Sequence, residues 1–142
     1  MKLLRILRGV PGSGKSTYAK TLQKEYIRLG YTVAHYEEDM YFIKEDGYYA
    51  WNPKLLDNAR RWCQNSVRRA LSCCDVVIVS NTTRFKKDVD DYIAIANECG
   101  ADYIVTRLTG KFKNVHDVPE DTVKQMEDTL EPYPGEEVRC PG

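Results

Sequence analysis

The chain has 142 residues, 42% hydrophobic and 30% charged, which suits one globular domain around one core. Lys plus Arg equals Asp plus Glu at 21 each, which argues against a protein that coats long nucleic acids by neutralising phosphates but permits basic contacts at one strand end. Five cysteines without metal-ligand spacing, and no apolar run near the roughly 20 residues of a membrane span, point to reduced, mostly buried thiols in a cytoplasmic protein with no membrane partner.

Residues 2–8 are short and apolar enough for a buried first strand. Gly9-Val10-Pro11-Gly12-Ser13-Gly14-Lys15-Ser16-Thr17 follows and fits the phosphate-loop pattern G-x-x-x-x-G-K-[ST] at every fixed position. Its glycines let backbone N–H groups converge on an anion, and the next helix adds its unpaired N-terminal N–H groups. The expected nucleotide-binding residues are Gly12, Ser13, Gly14, Lys15, Ser16 and Thr17. Lys15 reaches the β- and γ-phosphates of ATP, and the Ser16 hydroxyl is offered to Mg²⁺.

A helix is predicted over 16–29, with Leu22, Tyr26 and Leu29 at helical spacing and Gly30 as terminator. A second strand covers 31–36, and Glu37-Glu38-Asp39 lies at its carboxyl end, where open α/β sheets bind ligands. Residues 40–51 are aromatic and irregular, either a stacking surface for a base or a packed flap. Asn52-Pro53 opens a long helix ending near Leu71. Its arginines at 60, 61, 68 and 69 form a solvated face or a nucleic-acid patch.

Residues 75–80 are continuously apolar, as a central parallel strand should be. Ser80 and Asn81 stand where many phosphate-loop enzymes place an acid that helps hold Mg²⁺. A helix to Cys99, a strand over 102–108, a basic segment over 109–118 and a helix from Pro119 complete the alternation. The class is α/β: a three-layer P-loop nucleoside-triphosphate hydrolase fold, nucleoside-kinase-like, with a parallel sheet of four to five strands. The kinase domain spans 1–131 with a lid over 109–118, and 132–142 is a surface tail.

A compact phosphate-loop domain with a carboxylate beyond its second strand suits phosphoryl transfer to a hydroxyl, with Asp39 as the base. The chain also resembles the small phosphate-loop kinases related to the 5′-kinase domain of bacteriophage polynucleotide kinase and their stand-alone ATP-binding, zeta-toxin-like relatives. The resemblance rests on five segments in order: Leu7 to Thr17, Asp39-Met40-Tyr41-Phe42, Tyr48 to Leu71, Ile78 to Thr82, and Asn114-Val115-His116-Asp117-Val118-Pro119. It implies ATP and Mg²⁺ as cofactors, Asp39 as general base, and Lys113 as the lid cation with Arg107 and Lys111 in reserve. Asn81, Arg84, Tyr41 and Phe42 are the implied substrate contacts. The implied acceptor is a nucleic-acid end, above all a polynucleotide 5′-OH. A hydroxymethylated base in DNA, a nucleoside or another small alcohol is the nearest alternative, and an ATP-binding switch without an acceptor belongs to a different class. Phe42 stands where the phage enzyme has a phosphate-holding Arg, and Lys113 where the family has one.

Overall fold

The structure is a computed structural model that describes residues 2–44, 46–112 and 118–140. Five parallel strands form one sheet: β1 (Leu3–Arg8), β2 (Val33–Tyr36), β3 (Val76–Asn81), β4 (Asp102–Leu108) and β5 (Glu137–Arg139). Their spatial order is β2-β3-β1-β4-β5. Helices α1 (Lys15–Arg28), α2 (Leu56–Leu71), α3 (Lys86–Glu98) and α4 (Glu120–Thr129) join them. The three-layer α/β architecture expected from the alternation is therefore present.

Period-two alternation in β1 explains the layers. Leu4 and Ile6 join Val77 and Val79 of β3 and pack on Cys63 and Val67 of α2 and Val89 and Ile95 of α3. Leu3 and Leu7 join Val76 and Ile78 on the other face, against Ala19 and Leu22 of α1. Each such buried Leu, Ile or Val side chain stabilises the fold by about 1.5–3 kcal/mol. In register, Arg8 of β1 lies level with Asn81 of β3 and Arg107 of β4, so all three carboxyl ends open on one edge.

Two arginines on β1 are buried and paired. Arg5 donates to the Tyr26 hydroxyl at 3.1 Å and meets Glu137 at 3.5 Å. Arg8, fully excluded from solvent, donates to Thr83 O at 2.7 Å and 3.1 Å and to Glu136 Oε1 at 3.0 Å. Glu136 also accepts from Arg107 Nε at 2.9 Å and from the Tyr133 N–H at 3.0 Å. The segment expected as a surface tail thus contributes both a counter-charge to β1 and the edge strand β5. All three β5 residues are exposed.

Two local details differ from expectation. Asn52-Pro53 opens a 3₁₀ turn over Pro53–Leu55, and α2 starts only at Leu56; Asn52 Oδ1 accepts the Lys54 N–H at 3.0 Å as the expected cap. Of the five free cysteines only Cys63 is buried; Cys73 and Cys140 are exposed, because the first lies in the turn after α2 and the second beyond β5. The α2 arginines are engaged locally, Arg60 with Asp57 and Glu38, Arg61 with Asn58, and Arg68 with Glu98, which fits a solvated face. Among the described residues no helix is long and apolar enough to cross a membrane.

Candidate functional site

The loop between β1 and α1 forms the nest the sequence calls for. Gly14 caps α1 in a left-handed conformation (φ 98°), a geometry that a Cβ opposes. The backbone of 109–112 lies directly across this loop: the Gly110 N–H donates to Ser13 O at 3.0 Å and the Phe112 N–H to Gly12 O at 2.7 Å. A Cβ on Gly110 would stand 2.6 Å from Ser13 O, so only glycine allows this approach. Ser13 is itself buried, and its Oγ has no partner among the described residues.

A cleft of about 220 Å³ opens over the nest. It is lined by Gly12, Gly14, Lys15, Ser16 and Thr17 of the nest and α1, by Glu37, Glu38 and Asp39 after β2, by Ser80, Asn81 and Thr82 at the end of β3, and by Phe112. Lys15 Nζ donates to Val10 O at 3.2 Å. Burial lowers the Lys15 ammonium from 10.5 to about 8, although Glu37 and Asp39 pull it back up. A polyphosphate arriving in the nest would reinforce the charged form.

The three acids after β2 have separate surroundings. Glu37 Oε1 accepts from Ser16 Oγ at 2.7 Å and from Ser80 Oγ at 2.9 Å, with His35 Nε2 at 3.4 Å. Burial alone would raise its pKa; hydrogen bonds from His35, Ser16 and Ser80 and the attraction of His35 win, leaving it at about 2. Glu38 begins a 3₁₀ turn over Glu38–Phe42, and burial pushes its carboxyl up against the pull of Arg60, 3.9 Å away. Asp39 lies in the same turn and accepts from the Tyr49 hydroxyl at 3.1 Å.

Asn81 lines the cleft, but its amide is already engaged. Its Oδ1 accepts the Glu38 N–H at 2.8 Å and its Nδ2 donates to Cys63 Sγ at 3.8 Å, so it holds the acid-bearing turn rather than lying free for a substrate. Arg84 stands next door in a hollow of about 330 Å³ that also holds Arg60, Gln64, Asp88 and Asp91 and shares Glu38, Asn81 and Thr82 with the cleft. Its guanidinium lies 4.8 Å over the Phe85 ring.

Tyr41 and Phe42, expected as substrate contacts, line neither space. Phe42 is 5% exposed, and Tyr41 packs at 6.0 Å from Trp62 and 5.5 Å from Phe42, so apolar burial directs both inward. The outer part of this loop differs, with Tyr48 67% and Trp51 54% exposed. The loop is a packed flap at its base and an open aromatic surface at its tip. Lys113, Asn114 and His116 lie outside the described residues. Of the reserve cations, Arg107 is paired with Glu136, and Lys111 is exposed in the segment that crosses the nest.

Three site residues escaped the sequence reading: Glu37 as the partner of Ser16, Tyr49 as the donor to Asp39, and Phe112 in the lining of the cleft. The acid run announced that carboxylates face the site, but not which one reaches which neighbour.

The chain matches the family model described as "Chromatin associated protein KTI12" over residues 1–133. It is 33% identical over 135 residues to an uncharacterized protein, PM0531, of Pasteurella multocida, covering 89% of this chain and 75% of that protein. Among solved structures it is similar to Kti12 of Chaetomium thermophilum in complex with ADP-AlF3 (TM-score 0.72, 15% identity, 96% of this chain and 88% of that one). It is also similar to the APS kinase CysC of Mycobacterium tuberculosis in complex with AMPPNP and APS (TM-score 0.62, 12% identity, 89% and 68%). A chain of the Pnkp1/Rnl/Hen1 RNA repair complex is 25% identical with a TM-score of 0.59; the match covers 94% of this chain but 40% of that one. These likenesses support a P-loop, nucleotide-binding, kinase-like fold, and the family model that matches is not that of the phage enzyme.

Proposed function

The chain belongs to the KTI12 family, and from that premise we propose that it is an ATP- and Mg²⁺-dependent phosphotransferase acting on a hydroxyl of a nucleic acid, first of all a polynucleotide 5′-OH. The observation that carries the reading is Asp39 on the same cleft as Lys15 and Ser16, where a base can meet the end of a triphosphate held by the nest. The adjoining hollow, reached past Glu38, Asn81 and Thr82, gives an acceptor room beside that point, and the exposed rings of Tyr48 and Trp51 suit unstacked bases. The solved relatives named for a kinase and for RNA repair support the same chemistry.

In this reading the acceptor oxygen attacks the γ-phosphorus, its proton passes to an Asp39 carboxylate oxygen, and the bond to the β-bridging oxygen breaks to leave ADP. Lys15 bears on the charge that spreads over the transferring group, and the nest N–H groups hold the β-phosphate. The hard oxygen donor Ser16, at the mouth of the nest, fits Mg²⁺. When bound, the ion neutralises charge between the β- and γ-phosphates. Five free thiols fit the reducing cytoplasm.

The test is transfer of labelled γ-phosphate from ATP to a mixed panel of single-stranded DNA and RNA with 5′-OH ends, duplex DNA with hydroxymethylated bases, and free nucleosides. Label at a 5′ end is the expected result. Label on an internal base or a nucleoside replaces the acceptor, and ATP binding with no label anywhere overturns the kinase in favour of a nucleotide-dependent switch.

A further inference from the structure

The strand after the nest lacks the acid that phosphate-loop enzymes commonly present to their metal; β3 ends in Ser80 and Asn81. A carboxylate is nevertheless in that position in space. It comes from the end of β2, the strand adjacent to β3, and belongs to Glu37. Its Oε1 lies 2.7 Å from Ser16 Oγ, the hydroxyl that the nest offers to a divalent cation.

We propose that Glu37 is the protein carboxylate of the Mg²⁺ site, acting on the ion directly or through one of the waters that Mg²⁺ retains. The inference rests on the nucleotide-binding part of the function proposed above and not on the identity of the acceptor. Ser80, at the place of the missing acid, donates to Glu37 Oε1 at 2.9 Å, and His35 Nε2 lies 2.7 Å from Ser80 Oγ, so the carboxylate is braced from two sides. Among the described residues Glu37 Oε2 has no hydrogen-bond partner, which leaves one carboxylate oxygen for a further ligand. The two acids that follow line the same cleft but engage other neighbours: Glu38 lies 3.9 Å from Arg60, and Asp39 accepts from Tyr49. Among the described residues no set of three or more acids, histidines or cysteines could hold a metal by itself. That fits an ion that takes one hydroxyl, one carboxylate, nucleotide phosphates and water rather than an all-protein cage.

Glu37→Gln separates charge from packing, because a glutamine Oε1 can still accept from Ser16 and Ser80. Mn²⁺ is titrated by electron paramagnetic resonance into the protein saturated with a non-hydrolysable ATP analogue, and analogue affinity is measured separately in EDTA. The substitution should weaken Mn²⁺ binding roughly 10–100-fold, as loss of a ligand or its supporting partner does. Analogue affinity in EDTA should be equal to wild type or higher. Glu37→Asp, shorter but charged, should fall between wild type and the Gln variant. Mn²⁺ affinity unchanged in Glu37→Gln overturns the proposal, as does an Asp variant no better than the Gln variant. No acceptor takes part, so the assignment can fail while phosphoryl transfer stands, and transfer can fail while the assignment stands.

Discussion

Asp39 and Glu37 are two residues apart and have different surroundings. Asp39 lies in the 3₁₀ turn with a tyrosine hydroxyl on one oxygen, whereas Glu37 is held by Ser16 of the nest and Ser80 of β3. Asp39→Asn should therefore slow transfer by about 10²–10⁴-fold, the range of general-base assistance. Its ATP affinity should match wild type in equilibrium dialysis; a variant that keeps its rate removes Asp39 as the base. Lys15→Met removes the half-buried cation that faces Glu37 and Asp39, and should weaken nucleotide binding as well as transfer. The nest residues were legible because their order is fixed by the phosphate they surround. The separate partners of three consecutive acids were not, since the directions of their side chains are set by the change from strand to 3₁₀ turn after Tyr36. The same turn carries Phe42 into the core, where a reading of residue type alone places it on the substrate.

The site is assembled from segments far apart in sequence, and the joints between them are specific hydrogen bonds. Asn81, at the end of β3, grips the acid-bearing turn through the Glu38 N–H. Asn81→Ala should cost about 1–3 kcal/mol by leaving that donor without its partner. It should also lower kcat for transfer more than it raises KM for ATP, because the nest itself is untouched; an effect on KM alone would refute this role. The second joint is Gly110, which lets the segment after β4 lie on the nest backbone. Gly110→Ala must displace this segment from Ser13 O and should weaken nucleotide binding at least as much as it lowers the melting temperature. Neither joint has a sequence signature. The order of strands and helices does, because apolar runs and helical spacing report burial directly. β5 was not resolved within the tail: its three exposed residues carry no apolar alternation, and its pairing depends on β4 already being in place.

On the scale of the molecule, the base of the nest is electrostatic. Arg8, immediately before Gly9, has no solvent contact and is matched by Glu136. Burial raises the pKa of Glu136, but the Tyr133 N–H, Arg8 and Arg107 prevail and hold it below its ordinary 4.5. A carboxyl with a depressed folded pKa gives stability that is complete above its unfolded value and is lost as pH falls through the folded one. Stability should thus decline below about pH 4.5, and Glu136→Gln should flatten that acid limb. At neutral pH the variant should be about 3 kcal/mol less stable, the cost of a buried arginine without its counter-charge. Urea unfolding at several pH values measures both effects, and an unchanged acid limb would show that Glu136 does not govern it. The same pair has a consequence for synthesis on the ribosome. Arg8 and Glu136 are 128 residues apart, so the strand that supports the nest emerges long before its counter-charge. A nascent chain stalled before Tyr133 should not retain nucleotide, while one carried past Arg139 on a linker long enough to clear the exit tunnel should, so ATP capture waits for the counter-charge.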